Sequence, residues 1–291
     1  MYDSSRSEFR LWFTCGWMQE PGICYATSQD GVRWNRFNDA SHPSIRNLYH
    51  AFVFLDDRTR MYYAYGVEPF APGAGFDRYH SSDGVVWTLD AKGLLASTGK
   101  GWDAQWNGNS FVWIEGSTWY ILYEMFSGTV WQIGEATSSD GLTWKQYESN
   151  PVLTYPGSGC GGPEMHKIGT TYYVWATCAV RGFLPTNIYR FSSTDLHTWT
   201  RVDGNAAGAV LSRTTTDEGS ESGVGQVADP SIVEVNGSIY MMYGATDTQD
   251  PQPDDAMHLK LAVVPLTLAQ VVETGEGDGP DSLGAIPTTL F

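Results

Sequence analysis

The hydrophobic positions of this chain fall in short runs separated by polar turn residues. One set of runs is aromatic: Leu11-Trp12-Phe13, Met61-Tyr62-Tyr63, Trp119-Tyr120-Ile121, Tyr172-Tyr173-Val174 and Ile239-Tyr240-Met241. A second set precedes all but the first of these: Ala51-Phe52-Val53-Phe54, Ser110-Phe111-Val112-Trp113, Pro163-Glu164-Met165-His166 and Pro230-Ser231-Ile232-Val233. A polar phrase follows the first four aromatic runs. It reads Ser28-Gln29-Asp30-Gly31-Val32-Arg33-Trp34, then Ser82-Asp83-Gly84-Val85-Val86-Trp87. It returns as Ser139-Asp140-Gly141-Leu142-Thr143-Trp144 and Thr194-Asp195-Leu196-His197-Thr198-Trp199. Asp bonds its own backbone two residues on and Gly supplies a positive φ, so the phrase predicts a hairpin turn with an aromatic plug behind it.

Trp34, Trp87, Trp144 and Trp199 recur with a period of about 55 residues. Each unit then reads as strand, turn, aromatic strand, loop, strand, Asp-Gly turn and short strand. Four strands per unit and about five units predict an all-β fold, a single five-bladed β-propeller with four-stranded antiparallel blades. One domain over 1–291 is expected, with blades at roughly 1–40, 41–92, 93–150, 151–205 and 206–291. The first unit lacks its inner strand, because Tyr2 to Arg6 reads as the turn that would follow one. Terminal segments are expected to close the ring, with residues 283–291 lying beside 9–16. Pro287 limits a regular strand there, and a disordered tail is the alternative. Helix is expected only at Leu266 to Val272. Long loops at 67–75, 126–130, 180–186, 203–227 and 246–256 are candidates for function.

Aromatic residues make up 14% of the chain, which suits packing between sheets. The formal charge is −16, with only 17 Lys and Arg, which argues against a nucleic-acid or anionic-membrane partner. No apolar run approaches membrane-spanning length. The first residues carry no signal-like pattern, so the cytoplasm is the default location. Cys15 and Cys24 flank one hairpin loop and Cys160 and Cys178 another. Each pair could lie close across strands, and free buried thiols are the reading that fits a reducing compartment. The spacing of the four fits no metal site. No cofactor is expected; a structural calcium ion is conceivable, but no loop spacing supports one. The oligomeric state is open.

In such a fold the starts of the inner strands converge on one funnel. The stretches concerned are Leu48-Tyr49-His50, Trp106-Asn107-Gly108-Asn109, Gly161 to His166 and Ala228-Asp229-Pro230-Ser231. Asp229 before Pro230 is the clearest candidate, and the proline biases it toward an extended conformation. Glu164 is unusual in a strand that otherwise packs. Asp229 could equally be a turn residue, Glu164 an edge residue, and His50 and His166 satisfied core histidines. Asp103 precedes an inner strand and Glu124 ends an aromatic one. Trp17, Trp102 and Trp106 could stack on sugar faces, or simply pack between blades. Glu218 and Glu221 precede Asp229.

The aromatic strands, the Ser-x-Asp-Gly-x-x-Trp phrase and Val227-Ala228-Asp229-Pro230-Ser231-Ile232-Val233 resemble the five-bladed propellers of glycoside hydrolase families 43 and 32 over roughly residues 1–265. The resemblance implies a carbohydrate-active protein, with an oligosaccharide or other small-molecule ligand. Hydrolysis there uses two carboxylates flanking the glycosidic bond, one of them protonated. The families' acid commonly sits in a Glu-Gly-Pro motif with a Lys four residues past the Pro. Here Pro163 and Lys167 match, and Gly161 stands where the Glu would be. The carry-over is Glu164 as acid, with Asp229 and Asp103 as carboxylate partners. His50, Trp17, Trp102, Trp106, Asn107, Asn109, Glu124 and His166 would bind substrate. Two alternatives stand beside it: a propeller that binds glycans without turnover, and an enzyme of unrelated chemistry that reuses the funnel.

Overall fold

The computed structural model describes residues 1–16, 21–69, 71, 73–155, 159–179, 185–202, 209–219, 225–247, 258–274 and 284–287. They form two compact units, one comprising Met1, 3–28 and 35–152, the other Tyr2, 29–34 and 153–291.

The first unit carries three sheets. In the first, β1 (Tyr2–Asp3), β2 (Glu8–Cys15), β3 (Gly22–Ser28) and β4 (Asn35–Arg36) follow in order, and β5 (Ile45–Arg46) also pairs with β3. The second is β6 (Tyr49–Asp56), β7 (Met61–Val67), β8 (Phe76–Ser81) and β9 (Thr88–Leu94). The third is β10 (Trp106–Glu115), β11 (Thr118–Phe126), β12 (Trp131–Ser138) and β13 (Trp144–Gln146). The second unit repeats the pattern with β14 (Cys160–Ile168), β15 (Thr171–Ala179), β16 (Thr186–Ser193) and β17 (Thr200–Val202). It ends with β18 (Gln226–Val235), β19 (Ser238–Thr246), β20 (His258–Val264) and β21 (Gly284–Pro287). Neighbours are antiparallel apart from one parallel bridge, Thr186 to Gln226, that joins the last two groups. The helix α1 (Leu268–Thr274) lies near the expected place and adds Leu268 and Val271 to the core of the second unit.

Each Asp-Gly phrase folds as a wide turn closed by its own side chains, not as a two-residue hairpin. Asp83 Oδ1 accepts from the Val85 and Val86 amides at 2.8 and 2.9 Å, and Ser81 Oγ accepts from Gly84 N at 2.9 Å. Asp140 and Asp195 do the same with their own turns. These N–H donors hold the Asp83, Asp140 and Asp195 carboxyls below the usual range, Asp195 at about 2. The residue after the Asp is buried, and the tryptophan that closes the phrase is only half-buried. The plug is thus the turn itself as much as the indole.

In the first unit these turns dock on the sheet before them. Trp12 Nε1 donates to Gly84 O at 2.7 Å, and Arg10 Nη1 donates to the Tyr62 hydroxyl at 2.7 Å. One sheet further on, Tyr65 Oη donates to Gly141 O at 2.8 Å and Arg78 Nη1 to Asp140 O at 2.7 Å. The Arg78 guanidinium lies over the Tyr63 ring at 4.7 Å and the Trp119 ring at 5.2 Å. Buried guanidinium groups need such partners, and here backbone carbonyls and ring faces supply them.

Three expectations are corrected. The described part of the tail, β21, pairs antiparallel with β20, Leu261 facing Ile286, and not with residues 9–16. The first strand of the first sheet is present as a stub: Arg10 N donates to Met1 O at 2.9 Å. The cysteines are not free thiols. Cys15 is bonded to Cys24 and Cys160 to Cys178, which removes the argument for a reducing compartment.

A Cβ at Gly141 would fall 2.6 Å from the Tyr65 hydroxyl and 2.7 Å from Trp119, at φ +71°, whereas one at Gly116, φ +60°, meets nothing within 4 Å. Gly116→Ala is expected to cost about 1 kcal/mol from the left-handed backbone alone. Gly141→Ala adds overpacking and is expected to cost roughly 3 kcal/mol. Urea melts of the two variants check this; equal losses would mean the turn is not wedged against the neighbouring sheet.

Candidate functional site

The first strands β6, β10, β14 and β18 share a defect. Each loses register by a β-bulge near its start, between Tyr49 and Phe52, Asn107 and Ser110, Gly161 and Glu164, and Ala228 and Ser231. A bulge takes its residues out of the ladder and re-aims their side chains. The residues that open the four bulges are His50, Gly108, Gly162 and Asp229. Three of them have left-handed backbones, with φ of 53° at His50, 56° at Gly162 and 53° at Asp229. The extended conformation expected at Asp229 is therefore overturned. Pro230 disfavours the right-handed helical region at Asp229, and the bulge selects the left-handed one, which Asp tolerates better than most residues.

In the second unit Asp229 is exposed and Glu164 is buried at 6% exposure. Glu164 Oε1 accepts from Ile232 N at 3.2 Å and lies 3.0 Å from His166 Nε2. The strand that carries Asp229 thus also holds Glu164, three residues further along. His166 also meets the Trp175 ring edge-on at 5.8 Å. A Cβ at Gly162 would lie 2.6 Å from Asp229 Oδ1. That contact explains the glycine at 162: the Asp229 carboxylate already fills the space a side chain there would need.

The first unit has a parallel arrangement. A Cβ at Gly108 would lie 2.5 Å from Glu124 Oε1, and Asn109 Nδ2 donates to Glu124 Oε2 at 3.3 Å. Glu124 is buried, Asn109 half-buried. His50 packs against Tyr49, the ring centroids 4.3 Å apart and the planes tilted by 56°. The ring is half-buried by area, but its Nδ1 has no access to solvent. Burial of the imidazole lowers its pKa to about 4, so it is neutral at pH 7.

Several candidate site residues have partners within the protein. Asp103 is 2% exposed and its Oδ1 accepts from Thr98 Oγ1 at 2.6 Å, which ties it into the 97–103 loop. Trp102 abuts Gly134 of β12, where a Cβ would meet the indole at 2.2 Å, and packs on Tyr123 at 5.6 Å. Asn107 is buried, accepting from Gly75 N at 3.2 Å and donating to Leu95 O at 3.0 Å. Trp106 is half-buried and opens β10 opposite Phe126. Glu218 is a loop clamp bonded to the Thr214 and Thr215 amides and the Tyr243 hydroxyl. Trp17 and Glu221 lie outside the described residues. No group of three or more His, Cys, Asp or Glu side chains able to hold a metal occurs among the described residues.

Two residues were missed in the sequence. Thr14 Oγ1 accepts from His50 N at 3.3 Å, and Thr177 Oγ1 accepts from Asp229 N at 2.8 Å. Their signal is a phrase that occurs twice, Trp12-Phe13-Thr14-Cys15 and Trp175-Ala176-Thr177-Cys178.

No family model and no curated protein matches the chain. Solved structures do. A thermostable family-43 glycoside hydrolase aligns at TM-score 0.61 and 21% identity, over 76% of this chain and 70% of its own. An endo-arabinase from Bacteroides thetaiotaomicron aligns at TM-score 0.63 and 16% identity, over 85% and 82%. A family-32 β-fructofuranosidase of Bombyx mori aligns at TM-score 0.53 and 16% identity, over 72% and 44%. At such identities the likeness is one of fold. The fold is all-β, that of the five-bladed propeller glycoside hydrolases, and the resemblance seen in the repeated phrases holds in three dimensions.

A histidine whose pKa is depressed in the folded state opposes folding once the unfolded chain can protonate it. His50 falls from 6.5 to about 4, so its share of stability is complete above pH 6.5 and is lost as pH falls toward 4. Its slope in that window is at most about 1.4 kcal/mol per pH unit. His50→Asn, which keeps the left-handed backbone accessible, is expected to flatten the loss of urea resistance between pH 6.5 and 4.5. An unchanged profile would place the acid sensitivity elsewhere.

Proposed function

We infer that this chain is a carbohydrate-active propeller protein that hydrolyses glycosidic bonds by carboxylate acid–base chemistry. The observation that carries the reading is the bulge in β18. It exposes the Asp229 carboxylate while the same strand, through Ile232 N, anchors the buried Glu164. Glycoside hydrolysis needs two carboxylates in different settings, one to give a proton to the leaving oxygen and one to act on the opposite side as base or nucleophile. Asp229, in water, suits the ionised role. Glu164 takes the proton-donor role, and the imidazole of His166 beside it can return the proton for the next cycle. Further support comes from the fold neighbours, which are glycoside hydrolases of several kinds, an endo-arabinase and a β-fructofuranosidase among them.

One observation favours recognition without turnover. Glu164 Oε1 already meets two groups of the protein, an amide and an imidazole, and a glycine stands where the family acid would be expected. In this second reading Asp229 accepts hydrogen bonds from sugar hydroxyls, and nothing is cleaved.

The experiment is turnover on a panel of oligosaccharides with terminal and internal furanosides and pyranosides. Glu164→Gln and Asp229→Asn are each expected to lower turnover by at least about 10²-fold with little change in melting temperature. Full activity in either variant would overturn the assignment. If the wild type binds a glycan without cleaving it and Asp229→Asn abolishes binding, the second reading replaces the first.

A further inference from the structure

We propose that Thr14 and Thr177 are positioning residues, each braced by its own disulfide, that hold the bulge residues His50 and Asp229 in their left-handed conformation. A residue at φ 53° that is not glycine is in a sparsely populated region, and such a conformation persists only where the surroundings over-determine it. Its amide has also left the strand ladder, so it needs another acceptor. At His50 and Asp229 that acceptor is a threonine hydroxyl on the aromatic strand of the preceding sheet in its own unit. A threonine can accept here and still donate its own proton elsewhere.

The arrangement occurs twice, and both times a disulfide begins at the next residue. Cys15 follows Thr14 and bonds to Cys24, tying β2 to β3. Cys178 follows Thr177 and bonds to Cys160, tying β15 to β14. In the second case Cys160 faces Cys178 and Gly161 faces Thr177, so the cross-link lies beside the bulge that receives Asp229. A Cβ at Gly162 would lie 2.6 Å from Asp229 Oδ1 and 3.1 Å from Thr177 Oγ1. Threonine, glycine and aspartate therefore form one cluster, with its backbone cross-linked at the adjoining pair. All four cysteines of the chain are used in this way. Within each unit the disulfide adjoins the threonine that serves the bulge residue, and its service there is to keep that hydroxyl in place.

The effect on sugar chemistry rests on the function proposed above, and the bracket itself does not. Amide hydrogen exchange, followed by NMR on the full-length oxidised protein, separates the two. Thr177→Val keeps the shape and removes the acceptor. It is expected to speed exchange of the Asp229 amide about tenfold, the loss of one ordinary hydrogen bond, while Ile232 and Val233 are unchanged. Thr177→Ser restores the acceptor and is expected to return the Asp229 rate to within about twofold of wild type. Thr14→Val and Thr14→Ser should do the same for His50, which keeps the test available if one variant fails to fold. The double variant Cys160→Ala, Cys178→Ala is expected to speed exchange at Asp229 more than at Val233. Unchanged exchange at both bulge amides in the valine variants, no rescue by serine, or a uniform rise along β18 would overturn the proposal. If exchange responds as expected and turnover or glycan binding does not, the bracket stands and the role given to Asp229 falls.

Discussion

The first unit depends on the close approach of one sheet's polar turn to the aromatic strand of the sheet before it. Gly84 lets its turn sit against Trp12, where a Cβ would come within 2.8 Å of the indole, and Gly141 sits equally tightly between Tyr65, Trp119 and Arg78. The turn is rigid because its own Asp and Ser side chains satisfy its amides. A rigid turn can present bare carbonyls to a neighbour, and Arg10, Trp12, Tyr65 and Arg78 take them up. Aromatic rings and buried guanidinium groups can share this interface because Arg10 and Arg78 also meet the Asp3 and Asp90 carboxylates and the Tyr62 and Tyr63 rings.

Regular ladders would leave the first strands with nothing to offer a ligand, since their side chains would alternate between neighbouring sheets. The bulges break that alternation at one place in each of β6, β10, β14 and β18. Two of the four open on glycine, and there a carboxylate from elsewhere, Glu124 or Asp229, occupies the space. The other two open on His50 and Asp229, whose own side chains are presented. One local defect, used in both units, thus takes residues of the first strands out of the ladder and re-aims their side chains. Its cost in backbone strain is offset by hydrogen bonds to residues far away in the chain.

Much of the architecture was legible from local pattern. The period of the Asp-Gly phrase, the aromatic strands and the short helix all reflect short-range chemistry, and the structure has them near where they were expected. The candidate residues were legible by type and place, their partners only where short-range geometry joins them: His166 meets Glu164 and Asn109 meets Glu124. Polar and aromatic residues at a strand start, such as Asp103, Asn107 and Trp102, are ambiguous from sequence. Their partners, Thr98, Gly75, Leu95 and Gly134, are set by how loops fold over the strand, which no spacing announces.

By itself the sequence determined the repeat, the strand type and the chemistry of each turn, because these depend on residues within a few positions of one another. Tertiary structure alone decided that the cysteines pair, that the tail strand adds to β20, and that Asp229 is left-handed and not extended. The reason is physical. The amide of His50 is satisfied 36 residues away and that of Asp229 52 residues away. A backbone conformation stabilised by such distant partners leaves no trace in its own neighbourhood, where Pro230 pointed instead to extended chain.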